Sequence, residues 1–484
     1  MIAALPLALL LAVAAAPLLF LIGTPSTAGF AVDAASLGPT LAFAVGGAAV
    51  STIVGGAAGV LAGTREYRGR VVLIALASVL IAAPPAFWWI GALRMPLPWG
   101  NVTGPATAAF VAGLGLTPIP LLLVVAALGE LPSNIYEAAR VALPPATRIR
   151  VVLLPLVASP LMGAFLLTVV LLLGESELPF LFGFRTVMTD VVTTFSQTFD
   201  AERTVPLIVP LLLTIIVLGM AAGRPLTRTV LSASRGAHGL VRTRAAWVLG
   251  LLAAVPPAFL LLSLAGYASA AVPALIARPT LPVATSTALV SILEPVAVAW
   301  IALLLAIVTA YPARGSGAMP FLVWAGLLLF CVPAPIYAIG WLRMGRLFDV
   351  VAVPGAVAHT SRAVGLCAMG FAIGYVRMPA SLDAAARLVP VSPVHRAFRF
   401  VLPLLVPTLA ASAALVAALT YADRDVASLL LPPGSSRLTL DFYLASANAP
   451  SATVGLQAIA VLAGAAVAVA AAAAGPALLW RRRG

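Results

Sequence analysis

Apolar residues fill this chain in long unbroken runs, and polar residues collect in the short intervals between them. An α-helix needs about 20 apolar residues to cross the hydrocarbon core of a bilayer. Twelve such runs can be read, centred near Leu11, Ala49, Leu80, Gly115, Leu166, Thr214, Ala254, Ala297, Leu329, Gly365, Ser412 and Gly464. The pattern predicts an all-α membrane protein of about 12 transmembrane helices. The opening run, MIAALPLALLLAVAAAPLLFLIG, has no basic residue ahead of it and is longer than the roughly 7–15 apolar residues of a signal peptide. It is expected to remain as a helix.

Two of the polar intervals resemble each other. They are PSNIYEAARVALPPATRIRVVLLP, Pro132 to Pro155, and PASLDAAARLVPVSPVHRAFRFVLP, Pro379 to Pro403. Asn134 and Ser381 each stand two residues after a proline and suit a helix N-cap, and Glu137 follows Asn134 at capping-box spacing. A short helix is predicted in each, IYEAARVAL and LDAAARLV. Pro144 and Pro145 end the first, Pro390 and Pro393 the second. A second basic run then leads into the next apolar segment. The first helix of each patch carries small alanines, which let another surface approach closely.

The likeness extends along the chain. IGALRM, Ile90 to Met95, recurs as IGWLRM, Ile339 to Met344, and APPAFWW ahead of the first matches VPAPIYA ahead of the second. Leu154-Pro155 recurs as Leu402-Pro403. A tandem duplication follows, with a first half over 1–225, a basic connector over 226–245 and a second half over 246–484. Parallel repeats of this kind place two half-bundles about an axis along the membrane normal, with a pathway between them.

Composition sharpens the picture. Of 484 residues, 62% are hydrophobic and 9% charged, against about 25% charged in soluble proteins. With Met1 on the cytoplasmic side, the inner face holds Arg65, Arg68, Arg70, Arg140, Arg148, Arg150, Arg224, Arg228, Arg235, Arg242, Arg244, Arg314, Arg377, Arg387, Arg396, Arg399 and Arg481 to Arg483. The outer face holds only Arg94, Arg185, Arg203, Arg278, Arg343, Arg346, Arg424 and Arg437. This asymmetry obeys the positive-inside rule. It puts both termini and both patches in the cytoplasm and accounts for the net charge of +13 without a nucleic acid partner. All 28 basic residues are Arg. A phosphate-binding P-loop needs a Lys, so this chain is not expected to hydrolyse ATP by that route.

The two patches resemble the EAA loop of ABC-importer permeases, whose pattern is Glu-Ala-Ala, three residues, Gly, nine residues, Ile-x-Leu-Pro. Glu137, Ala138, Ala139 and Arg140 match its start and Leu154-Pro155 its end; Ala385, Ala386, Arg387, Leu402 and Pro403 match in the second copy. The Glu position of that copy is Ala384, with Asp383 one residue early. The Gly position is Leu143 in one copy and Pro390 in the other. The resemblance implies two tandem six-helix halves of the type I importer fold, one copy of this chain per complex, and two copies of a cytoplasmic ABC ATPase gripped by the two loops. ATP and Mg belong to that partner, and no cofactor is expected in this chain. It also implies an extracytoplasmic substrate-binding protein and the inner membrane of a bacterium. The passage DRDVASLLLPPGSSRLTLDFYL is similar to one in fused permeases serving iron(III), thiamine or phosphonate, and iron(III) or a small solute such as these or a polyamine is the implied cargo. In that family the outer passages, here bearing Glu175, Glu177, Asp190 and Asp200 in one half and Asp423 and Asp425 in the other, meet the binding protein.

Two ionisable residues lie within apolar runs, Glu294 and Arg362. Such residues are costly in hydrocarbon and usually pair inside the bundle, so the two are expected to meet and to line or gate the pathway. Cys331 and Cys367 read as packing residues. His238, His359 and His395 have no neighbours at metal-ligand spacing, and no metal site is expected. A twelve-helix secondary carrier is the rival reading. GTREYRGR, Gly63 to Arg70, only faintly resembles the basic loop of such carriers, and that reading leaves the repeated patch unexplained. No His-Glu-x-x-His or comparable catalytic constellation argues for an enzyme.

Overall fold

The computed structural model describes residues 5–23, 33–64, 69–95, 103–129, 138–139, 141–144, 147, 149–232, 246–277, 283–314, 319–348, 354–432 and 434–481. Helices carry the whole fold, and there is no strand among the described residues. In chain order they are α1 (Leu5–Ile22), α2 (Ala34–Thr64), α3 (Arg70–Val79), α4 (Pro85–Ala92), α5 (Pro105–Gly115), α6 (Pro118–Leu128), α7 (Leu154–Leu173), α8 (Glu177–Phe182), α9 (Val187–Thr198) and α10 (Ala201–Ser232). There follow α11 (Ala246–Ala277), α12 (Thr285–Ala313), α13 (Met319–Cys331), α14 (Ala334–Leu347), α15 (Gly355–Val376), α16 (Ala380–Leu388), α17 (Pro393–Arg396), α18 (Leu402–Ala422), α19 (Asp425–Leu430), α20 (Leu438–Asn448) and α21 (Ser451–Arg481).

Among the described residues, eight helices are long and apolar enough to cross a membrane, or up to 11 if each of three bent pairs counts as one span. The twelfth expected crossing, around Leu11, falls on α1, whose apolar stretch Leu10–Ile22 is shorter. The bends have a clear cause. Arg70–Ala82 and Pro85–Ala92 meet at 104°, and Met319–Cys331 and Ala334–Arg346 at 84°. Pro84 and Pro333 stand at these breaks with ψ of 151° and 140°, because a proline cannot donate to the preceding turn and its ring clashes with it. In hydrocarbon the carbonyls so freed need a partner. Trp88 Nε1 donates to Leu80 O at 3.0 Å, and Tyr337 Oη donates to Leu329 O at 3.1 Å. At the milder 42° bend between α5 and α6, Ser51 Oγ donates to Leu116 O at 2.9 Å.

Other local solutions also occur twice. The N-terminal N–H of α9 (Val187) donates to Thr40 Oγ1 at 3.0 Å, and that of α20 (Leu438) donates to Ser291 Oγ at 2.9 Å, both across 147 residues. Each bond satisfies an N–H that a helix start leaves without an intrahelical acceptor. Residues Ile149–Leu153 and Ala397–Val401 both form single π-helical turns. Pro155 and Pro403 follow them, and their rings would strike the carbonyls of Val151 and Arg399 in a regular α-turn. The wider π turn relieves that clash.

Apolar burial gives helices little reason to associate in lipid, so close packing and hydrogen bonds must hold them. Gly326 and Gly365 provide such a contact between α13 and α15: a Cβ on either would lie 2.3 Å or 2.7 Å from the other's carbonyl oxygen. The first helix after the connector, α11, packs on α2, α3 and α4, while α1 packs on α14 and α15. Gly91 of α4 abuts Ser263 O of α11, and Gly340 of α14 abuts Pro17 O of α1. Buried aromatics Phe87, Trp88, Tyr267 and Phe442 fill the contact around α4 and α11.

Candidate functional site

The repeated patches lie at the start of α7 and of α18. In the second, α16 carries Asp383, Ala385, Ala386 and Arg387. It begins directly after Pro379, which takes the N-cap position with no side-chain cap. Ser381, expected as the cap, therefore sits within the first turn, where Pro379 O accepts the N–H of Leu382 at 2.9 Å. The helix ends at Val389, which is extended with ψ 125°, as the residue before a proline should be; Pro390 follows, exposed. Ser392 caps the next turn, its Oγ accepting from His395 N at 3.2 Å. Ala386 is buried and Ala385 exposed. In the first patch Ala139 is buried, Ala138 is exposed, and Leu143 N donates to Ala139 O at 3.1 Å. Asn134, Glu137 and Arg140 lie outside the described residues. Pro155 and Pro403 occupy the first turns of α7 and α18. Large apolar side chains are exposed in both patches: Val141 at 89%, Leu388 at 85% and Val394 at 67%.

At the far ends of α7 and α18 a second, buried cluster appears. Ser176 Oγ donates to Asp425 Oδ2 at 2.8 Å. Arg424 Nη1 lies 3.7 Å from Glu177 Oε1, and its Nη2 lies 3.3 Å from Asp425 Oδ1. The guanidinium also sits over the Tyr443 ring, 5.0 Å from its centre. Glu175 Oε1 accepts the backbone N–H of Glu177 at 2.8 Å. Burial pushes the Glu177 carboxyl up to about 8, despite the opposing pull of Arg424. Burial likewise raises Glu175, Asp423 and Asp425. For Arg424, burial works downward, but Glu177 and Asp425 outweigh it and hold the guanidinium above its ordinary value.

The expected pair of Glu294 and Arg362 does not form. Glu294, on α12, binds Arg437, which directly precedes α20. Arg362, on α15, faces Asp423 Oδ2 at 3.8 Å, donates through Nε to Phe330 O at 3.1 Å, and lies over the Phe330 ring. His359 Nδ1 is 4.0 Å from the same Asp423 oxygen. These groups border a cavity of about 20 Å³ with Thr420 and Leu419, room for about one water. The cluster is one-sided. Three residues after Ser291 stands Glu294, but three after Thr40 stands buried Phe43; before Leu438 stands Arg437, but before Val187 stands Thr186.

The sequence signal for the buried cluster was present in Gly174-Glu175-Ser176-Glu177 and Ala422-Asp423-Arg424-Asp425, which follow the repeated Leu-Pro helices at matching positions. Read as outer-loop acids, these residues were expected to meet a binding protein; burial against each other removes Glu177, Asp423 and Asp425 from that surface. Among the described residues no group of three or more His, Cys, Asp or Glu could hold a metal ion. Comparisons with protein-family models, curated proteins and solved structures find no match for this chain.

Proposed function

We propose that this chain is the transmembrane permease subunit of an ATP-driven, binding-protein-dependent importer in a bacterial inner membrane. The observation that carries the reading is the doubled patch. Each copy is a short stretch with exposed apolar side chains, followed by a π turn and a Leu-Pro that opens a long apolar helix. A surface that offers Val141 or Leu388 to water at more than four-fifths exposure suits a protein partner. Two such surfaces suit two motor subunits. Glu137 to Arg140 and Leu143 would engage one ATPase, and Asp383, Ala385 to Arg387 and Pro390 the other, with Pro155 and Pro403 fixing the helices behind them.

The recurring bends, π turns and hydroxyl-to-helix bonds support two tandem six-helix halves, 1–225 and 246–484, joined by the connector 226–245. On this reading there are 12 crossings, both termini are cytoplasmic, and one copy of the chain meets two ATPases and one binding protein. ATP-driven closure of the two ATPases draws the patches together, the halves rock, and the path between them opens outward and then inward. The cargo is iron(III) or a small solute such as thiamine, a phosphonate or a polyamine. ATP and Mg reside on the partner.

The test is gentle purification from the native membrane with Cys placed at the exposed Ala138 or Ala385. A P-loop ATPase should accompany the chain and cross-link to both positions. A chain that emerges alone and transports in ATP-free vesicles under an ion gradient is a secondary carrier instead.

A further inference from the structure

We propose that the contact between residues 175–177 and 423–425 is the outer gate of the path between the halves, shut in the state seen here. The proposal rests on the permease reading and adds to it the residues that close the path.

Three observations meet at this place. First, the two segments sit at the ends of α7 and α18, 20 and 21 residues long. These helices begin at the patches assigned to the ATPases, so a displacement at Pro155 or Pro403 is carried along a continuous helix to the contact. Second, the contact exchanges its members. Ser176 and Arg424 hold the second place after the acid that opens each segment, and Glu177 and Asp425 the third. Ser176 bonds Asp425, and Arg424 reaches back to Glu177. Second place meets third place in both directions, which is the self-complementary arrangement of a two-fold contact. Such a contact lies on the axis between two repeats, where a path would run. Third, the arrangement is poorly suited to a permanent seam. Glu175, Glu177 and Asp425 share Arg424, and Glu177 Oε1, although buried, makes no hydrogen bond. Buried charges without full compensation are expensive. A seam that only had to hold would be better made of packed apolar side chains, whereas a seam that must part into water gains from groups that hydrate well. Removing Arg424 takes away the guanidinium that Glu175, Glu177 and Asp425 share, so Arg424 is the closing element.

The test uses the intact complex in right-side-out vesicles, in a Cys331→Ala, Cys367→Ala background carrying Ser176→Cys. Ser176 is 1% exposed, so a membrane-impermeant thiol reagent should label it slowly in the resting complex. Labelling should rise at least tenfold when the complex is trapped with ATP and vanadate, and again without trapping in an Arg424→Gln variant. Normal protein level and retained association with the ATPase in the Arg424→Gln variant show that the assay does not merely report misfolding. Equal labelling of resting and trapped complexes overturns the gate, whatever Arg424→Gln does, because the contact then does not move in the cycle. Rapid labelling of the resting parent overturns it as well. Absence of an accompanying ATPase overturns the permease reading instead, and that result is read from the purification rather than from the labelling.

Discussion

Arg437→Gln should strand Glu294 and cost the fold several kcal/mol. The Arg437 side chain is 5% exposed and that of Glu294 19%, and the two are joined directly. Beyond this contact, Glu294 Oε1 and Arg437 Nε are buried without hydrogen bonds. Gly355 packs against both groups, with Val426 beside it. Breaking a buried ion pair from one side costs about 3–5 kcal/mol, because the remaining charge stays buried. The partial hydration of Glu294 puts the expected loss near the lower end, about 3 kcal/mol. Removing both charges avoids that penalty. The double variant Glu294→Gln, Arg437→Gln should therefore recover about 2 kcal/mol relative to Arg437→Gln alone. The assay is equilibrium unfolding of the purified chain in mixed micelles over a denaturing-detergent titration, analysed as a double-mutant cycle. A coupling energy under about 0.5 kcal/mol, with the single losses simply adding, would refute the reasoning and make the pair incidental.

Other consequences can be measured separately. Glu177 has a carboxyl near pH 8 in the shut contact and 4.5 when hydrated, so the shut form holds a proton that the open form releases. Its stability is pH-independent below about 4.5, then falls by about 1.4 kcal/mol per unit up to about 8; Glu175 and Asp425 act in the same direction, while Arg424 and Tyr443 stay protonated in this range. Labelling of Ser176→Cys should therefore rise between pH 6 and 8, and Glu177→Gln should flatten the rise. Pro403→Ala removes the clash that widens the turn at Ala397–Val401; relaxation to a regular α-turn reorients the patch, and uptake should fall at least tenfold with normal protein level, whereas unchanged uptake would separate the π turn from coupling. Gly365→Leu drives a side chain into the Gly326 carbonyl and should cost more than about 3 kcal/mol in the same detergent titration, with Gly365→Ala intermediate. Tyr337→Phe leaves Leu329 O without its donor and should cost about 1–2 kcal/mol.

The long helices were legible because a membrane helix announces itself by apolar length alone. The bends were not. Prolines at 84 and 333 signal a break, but not that Trp88 and Tyr337 reach back eight residues to the freed carbonyls. The doubled patch was readable from spacing, since prolines and alanines there act through the local backbone. Ser381 was misplaced as a cap because Pro379 already provides the helix entry. Glu294 and Arg362 were paired because both lie within apolar runs, which does not say where in the bundle either stands. Their true partners, Arg437 and Asp423, follow the apolar runs and look like loop residues until the chain folds them inward. The contact at 175–177 was hidden for a similar reason: both strings were visible, but nothing in a linear sequence says that repeat-equivalent segments touch.

The crossed placement of α1 and α11 bears on how the chain is made. A ribosome completes α1 long before α14 and α15, the helices on which it packs, have been synthesised. Until then α1 lacks most of its neighbours, and an 18-residue helix of Leu, Ala, Val, Ile, Phe and Pro exposes no charge meanwhile. By contrast, α11 finds α2, α3 and α4 already in place when it emerges. Assembly is therefore staggered: α11 can dock at once, but α1 gains its main contacts only after α15 has been made. Severing the chain in its connector would leave each fragment missing a surface that only the other provides.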